Sequence, residues 1–271
     1  MHDTQYHPHE FFPTIENLPK VGQVVICGGQ AVNLLAAVFL TEKQIETILG
    51  GYGSATSSDM DIIITRELQK QLFLETNESN KSRGFSVKLF ADCRQPIQFV
   101  ILPDSMPDTR IDVLRAIKGI HTEKDRVFED SIDLENTPYN VLNPTTLLIA
   151  KAENCATLEQ STPGEKRNDV NHLRLLIPIV RNYLRELVNA CDPASPASKN
   201  EQRDIIRFLK KLHNAAQNSN FKKGMNTAGA NLQECIPIAH IRQSKLETLK
   251  NYLERTFLRS PNPNKNPPGS R

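Results

Sequence analysis

The chain has no apolar run long enough to cross a bilayer. Its start, "MHDTQYHPHEFFPTIENLP", is polar and Pro-rich and lacks the apolar h-region of a secretory signal, so neither export nor membrane embedding is expected. CxxC pairs are missing too. The five cysteines, Cys27, Cys93, Cys155, Cys191 and Cys235, are odd in number and far apart, which argues against a disulfide framework or a zinc site and makes a reducing cytoplasm the expected home. There is no GxGxxG, so a dinucleotide-binding fold has little support, and there is no internal repeat. What remains is ordinary globular material. The 271 residues, 38% hydrophobic and 24% charged, can bury a sizeable core as one large or two small domains.

Charge is nearly balanced in total, at +2, but unevenly placed. Residues 201–271 carry 13 Lys and Arg against 5 Asp and Glu, which leaves the front acidic. An acidic front suits a site that gathers metal cations, and a basic rear suits a polyanion such as nucleic acid; a solvated helical face accounts for the basic charge equally well.

The front of the chain alternates strand and helix signals. "QVVICGG" is a β-branched run closed by two glycines, which predicts a buried strand and a turn. "QAVNLLAAVFLTEKQIETIL" predicts one helix ending at Gly50 and Gly51. "DMDIIIT" predicts a second strand, "RELQKQLFLETNESN" a helix, and "FSVKLF", "IQFVILP" and "TRIDVLRAI" three more strands, the last of which can also open a helix. The expected class is α/β (α+β), with a mixed sheet of about five strands over residues 1–140. From 141 to 259 the pattern turns helical. Asn143 and Pro144 suit a helix start, Pro178 is expected to kink or split a helix, and "CDPASPASKN" reads as a linker near 191–201. Helices are expected at "EQRDIIRFLKKLHNAAQ" and "RQSKLETLKNYLERTFL", and a disordered tail over 260–271.

The chemistry concentrates in "SATSSDMDIII". In a strand, residues i and i+2 share a face, so Asp59 and Asp61 project together with Cα atoms about 6–7 Å apart. Like charges so close raise each other's pKa unless a cation lies between them. A carboxylate pair at the mouth of an apolar strand is a natural cradle for Mg²⁺ or Mn²⁺, which prefer oxygen ligands. Asp112, in "TRIDVLR", is the candidate third carboxylate of a two-metal phosphoryl-transfer site. The plainer reading makes Asp59 a loop cap and Asp112 a surface charge. Gly28 and Gly29, between a strand and a helix, can hold a phosphate on backbone amides that a Cβ would shield, or simply allow tight packing.

Taken together, strand, GG, helix, a small-residue loop into "SSDMDIII" and a later Asp in "RIDVL" resemble the nucleotidyltransferase superfamily to which DNA polymerase β belongs. The longer Gly29-to-Asp59 spacing resembles its AbiEii-type toxin branch. "NPTTLLIAKAENCATLEQSTPGEKRNDVNHLRLL" is similar to that branch's lysine-bearing helix and KDxxDL segment. The resemblance covers roughly residues 21 to 177. It implies metal ligation by Asp59, Asp61 and Asp112, with Asp112 also helping to deprotonate the acceptor. It implies a phosphate-holding turn at Gly28 and Gly29, nucleotide contacts from Ser57 and Ser58, phosphate contact from Lys151, and a site role for Asp169. The chain departs from the branch at Asn168 and His172, where the segment has Lys and Asp, and in lacking an arginine before the Ser/Thr. Other readings stay open: Lys151 snorkelling to solvent, Asp169 as an N-cap, and His2, His7 and His9 as a metal tract or a solvated terminus.

The resulting expectation is a metal-dependent enzyme that moves an NMP from an NTP to an acceptor hydroxyl. The acceptor expected is RNA such as tRNA, and the expected setting a bacterial toxin–antitoxin or phage-defence system with a cognate antitoxin protein as partner. Its alternatives are a small-molecule, antibiotic-type nucleotidyltransferase and a non-catalytic nucleotide- or RNA-binding module.

Overall fold

The computed structural model describes residues 7–50, 59–75, 84–90, 96–134, 139–158, 161–162, 165–166 and 168–258. Helix α1 (Pro8–Glu16) leads into strand β1 (Val24–Cys27), which passes directly into α2 (Gly28–Phe39). The single helix expected next is two. At Leu40 the backbone turns extended, and Thr41 starts α3 (Glu42–Leu49) with a capping box, its hydroxyl accepting from the Gln44 amide while the Gln44 side chain accepts from the Thr41 amide. Gly50, in the left-handed conformation, ends α3. Strand β2 (Met60–Ile64), helix α4 (Arg66–Glu75) and strands β3 (Phe85–Leu89), β4 (Ile97–Pro103) and β5 (Ile111–Leu114) follow. "TRIDVLRAI" is therefore a strand.

Among the described residues the sheet is mixed and has seven strands, in the order β3-β4-β5-β2-β1-β7-β6. Five match the expected strands. The two extra ones, β6 (Ile132–Asp133) and β7 (Asn140–Val141), are only two residues long, too short for an alternating pattern to register in sequence. β1 and β2 run antiparallel, β2 and β5 parallel, and β5, β4 and β3 successively antiparallel, while β7 lies parallel to β1. One face carries Ile26, Ile62, Val113 and Phe99, all fully buried.

Beyond β7 the structure is helical apart from a two-stranded pairing of β8 (Ser161–Thr162) with β9 (Glu165–Lys166). Helix α5 (Pro144–Thr157) starts as expected, with Asn143 Oδ1 accepting from the Thr145 amide and Pro144 at the first helical position. Pro178 does not split α6 (Asp169–Ala190), which runs unbroken for 22 residues. The stretch after Cys191 is a short turn closed by hydrogen bonds, and α7 (Ser198–Ala215) begins inside the expected linker. Helix α8 (Ser219–Thr227), unforeseen in sequence, packs on α5. Gly224 lets it, since a Cβ there would lie 1.9 Å from the Ala152 carbonyl oxygen. The last predicted helix is divided into α9 (Ile238–Gln243), α10 (Glu247–Leu253) and a π turn at Glu254–Leu258, because Ser244 turns extended. The apolar interior is continuous from Phe11 to Leu253. No helix among the described residues is long and apolar enough to cross a membrane. The 260–271 tail, Cys93, His2, Ser57 and Ser58 lie outside the described residues.

Candidate functional site

Strand register assembles the site. Cys27 on β1 faces Asp61 on β2, Asp61 faces Asp112 on β5, Asp112 faces Val100 on β4, and Val100 faces Lys88 on β3. Register partners point to the same side of a sheet, so these five residues form one row across it. Their alternate neighbours Ile26, Ile62, Val113 and Phe99 fill the opposite, dry face. Cys27 (1% exposed), Asp112 (3%) and Val100 are buried, Asp61 between the first two is half-buried, and Lys88 on the edge strand is exposed. Asp59, the residue before β2, is half-buried beside them.

Asp61 sits where β1 becomes α2. Gly28 has φ +68°, a conformation that disfavours any side chain, and a Cβ on it would meet Asp61 Oδ2 at 1.9 Å. The glycine therefore gives the Asp61 carboxylate its room at the first turn of α2, where the helix dipole favours negative charge. Gly29 is buried in the next position. Behind Asp61 lies a buried ion pair: Lys151 Nζ on α5 donates to Asp169 Oδ1 on α6 at 2.7 Å. Burial first, then Asp59, push the Asp61 carboxyl up to about 7, Asp112 and Asp169 add to the rise, and Lys151 opposes it. Burial and the charge of Asp61 also raise the Cys27 thiol well above its usual value.

Asp112 has a cation of its own. Arg110 Nε lies 2.9 Å from Asp112 Oδ1, and Arg110 Nη2 lies 4.0 Å from Asp59 Oδ2. The closer contact is an ion pair on a buried oxygen, with the guanidinium off the line of a good hydrogen bond. Burial is the main reason the Asp112 carboxyl rises to about 6; Arg110 pulls against it and Asp59 adds to it.

The donor set fits a hard divalent ion in its chemistry: three carboxylates, two of them held well above their ordinary pKa by burial and by repulsion from Asp59, one with a buried oxygen paired only to a guanidinium among the described residues. Among the described residues no three His, Cys, Asp or Glu side chains are gathered to hold one ion as they stand, and the charge lying against both Asp59 and Asp112 is a guanidinium.

The expected residues Asp59, Asp61, Asp112 and Gly28 come together, with Lys151 and Asp169 close enough to act on Asp61 electrostatically. Two alternatives for the outer pair are corrected. Lys151 does not snorkel to solvent, and Asp169 is not the N-cap of α6; that position belongs to Asn168, and Asp169 is spent on Lys151. His7 and His9 stack on each other at the exposed start of α1. Sequence reading missed Arg110, Cys27 and Lys88. Arg110 carried a signal, the i, i+2 spacing to Asp112, while Cys27 and Lys88 depend on register between distant strands. A groove of about 740 Å³ between the end of α1 and β7 is lined by Glu16, Lys20, Gln23 and Tyr139, with none of the aspartates in its walls.

No protein-family model matches the chain, and no curated protein or solved structure matches it either.

Proposed function

We propose that the chain is a metal-dependent nucleotidyltransferase with the nucleotidyltransferase fold, acting on an RNA acceptor such as tRNA. The observation that carries this reading is the cross-strand pairing of Asp61 with Asp112, beside Asp59 and against the glycine that opens α2. Asp59, Asp61 and Asp112 would hold Mg²⁺ or Mn²⁺, which when bound neutralise triphosphate charge and acidify an acceptor hydroxyl.

The chain's own groups have defined tasks in such a reaction. The acceptor oxygen forms a bond to the α-phosphorus of the NTP, the bond to the bridging oxygen breaks, and pyrophosphate leaves with the electron pair. Asp112, whose carboxyl is raised to about 6, takes the hydroxyl proton. Gly28 keeps the approach to Asp61 clear. Lys151 and Asp169 support Asp61 from behind, an electrostatic task in place of the phosphate contact that the resemblance implies. Lys88, exposed on the same face about two strand spacings, or about 10 Å, from Asp112, is placed for an anionic substrate. The basic residues after 200 present the RNA, and the resemblance to AbiEii-type toxins favours a toxin–antitoxin or phage-defence setting, with an antitoxin protein as partner.

The test is transfer of label from each α-³²P NTP to total cellular RNA with Mg²⁺ or Mn²⁺. Labelled RNA from the wild type and none from Asp61→Asn is expected. Label appearing on small alcohols and not on RNA moves the acceptor to a small molecule. If wild type and an Asp59→Asn/Asp61→Asn double variant bind Mn²⁺ and NTP equally poorly, the protein is a binding module and the enzymatic reading is lost.

A further inference from the structure

Arg110 stands two residues before Asp112, and its guanidinium touches the two carboxylates that no backbone register joins directly, Asp112 at 2.9 Å and Asp59 at 4.0 Å. Without a positive charge there, Asp59 and Asp112 would face each other, and Asp61 beside them, with no cation between them, on the sheet face opposite the dry one. The Arg110 side chain is itself 45% exposed, so it can leave the pair toward solvent without disturbing the core. A guanidinium at 2.9 Å from Asp112 Oδ1 and a divalent ion on the same oxygen would repel each other, so the two compete for it.

We propose that Arg110 is a built-in counter-cation: it holds Asp59 and Asp112 together in the metal-free protein, is displaced when a divalent ion enters, and then turns its fork to the phosphates of the incoming nucleotide. The proposal rests on the nucleotidyltransferase reading for the identity of ion and nucleotide. A planar guanidinium suits phosphate oxygens as well as it suits carboxylate, so the exchange trades one anionic partner for another. Metal and nucleotide then bind with positive coupling, since each removes a competitor of the other, and the coupling is reciprocal. The ion enters poorly alone and well with a triphosphate.

The experiment is Mn²⁺ titration of metal-free protein, read as free Mn²⁺ by electron paramagnetic resonance, without nucleotide and with ATP, GTP, CTP and UTP in turn. Wild type, Arg110→Gln, Arg110→Met, Arg110→Lys, Asp61→Asn and Asp112→Asn are compared. Arg110→Gln and Arg110→Met are expected to bind Mn²⁺ alone about tenfold more tightly or better, Arg110→Lys to stay near wild type, and the gain from nucleotide to shrink in the two neutral variants. Arg110→Met keeps the aliphatic bulk should Arg110→Gln fail to fold. Equal Mn²⁺ affinity in wild type and the neutral variants, with Asp61→Asn still abolishing binding, overturns the role of Arg110 and leaves the metal site standing. Mn²⁺ binding that ignores Asp61→Asn and Asp112→Asn, or that no variant shows, overturns the metal site itself.

Discussion

Lys151 Nζ lies 2.7 Å from Asp169 Oδ1, joining α5 to α6 with both side chains buried. Removing one partner strands the other charge in a place water does not reach. Lys151→Met should therefore cost about 3–5 kcal/mol of stability, and the double change Lys151→Met/Asp169→Leu should recover a large part of it. Urea unfolding of the two variants measures this, and a single-variant loss within about 0.5 kcal/mol would refute the buried pair.

Gly28 and Asp61 make a second testable contact. Gly28→Ala places a Cβ in a left-handed backbone and onto the Asp61 carboxylate, so it should destabilise by about 1–3 kcal/mol from backbone strain, with the collision added. In an Asp61→Ala background the collision is gone and the same change should cost less. A thermodynamic cycle over the four proteins reads the coupling; strict additivity would mean that the carboxylate does not occupy that space.

The pH dependence of the metal-free protein follows from the raised carboxyls. Asp61 and Asp112 titrate near 7 and 6 in the folded chain against about 3.9 when unfolded, so between these values the folded state holds more protons. Their contribution is complete below about pH 4 and is lost as pH rises through 6 to 7. Melting temperature in chelator should fall over that window, Asp61→Asn should flatten the fall, and Mg²⁺ or Mn²⁺ should reverse it by favouring the charged forms. A melting temperature that rises steeply from pH 5 to 7 in chelator, unchanged by Asp61→Asn, contradicts this.

Lys88 is exposed at the open end of the aspartate row, so Lys88→Glu should leave stability within about 0.5 kcal/mol. If the face receives a nucleotide or RNA, the same change should raise the apparent KM severalfold with little change in kcat. Unaltered KM values for both would remove Lys88 from the binding face.

The local grammar of the fold was legible. "QVVICGG" and "DMDIIIT" read as strands because β-branched runs between glycines and polar residues allow little else, and Asn143-Pro144 marked a helix start that the structure keeps. The errors fell where local signals are weak or overridden. Thr41 and Gln44 break a helix that the apolar period carries through. Pro178 leaves α6 whole because the helix is buried on one face against its neighbours and packing outweighs one lost hydrogen bond. β6 and β7 are defined by pairing alone.

For the candidate site, the sequence by itself determined that Asp59 and Asp61 share a face, since side chains along a strand alternate, and that glycine stands where a helix begins. Only the tertiary structure decided that Asp112 lies across from Asp61, that Lys151 closes on Asp169, and that Arg110 lies against both Asp59 and Asp112. Those relations join residues on different strands and helices. They come from sheet register and helix packing, which are fixed by the burial of a shared apolar interior and so are written in no single stretch of chain.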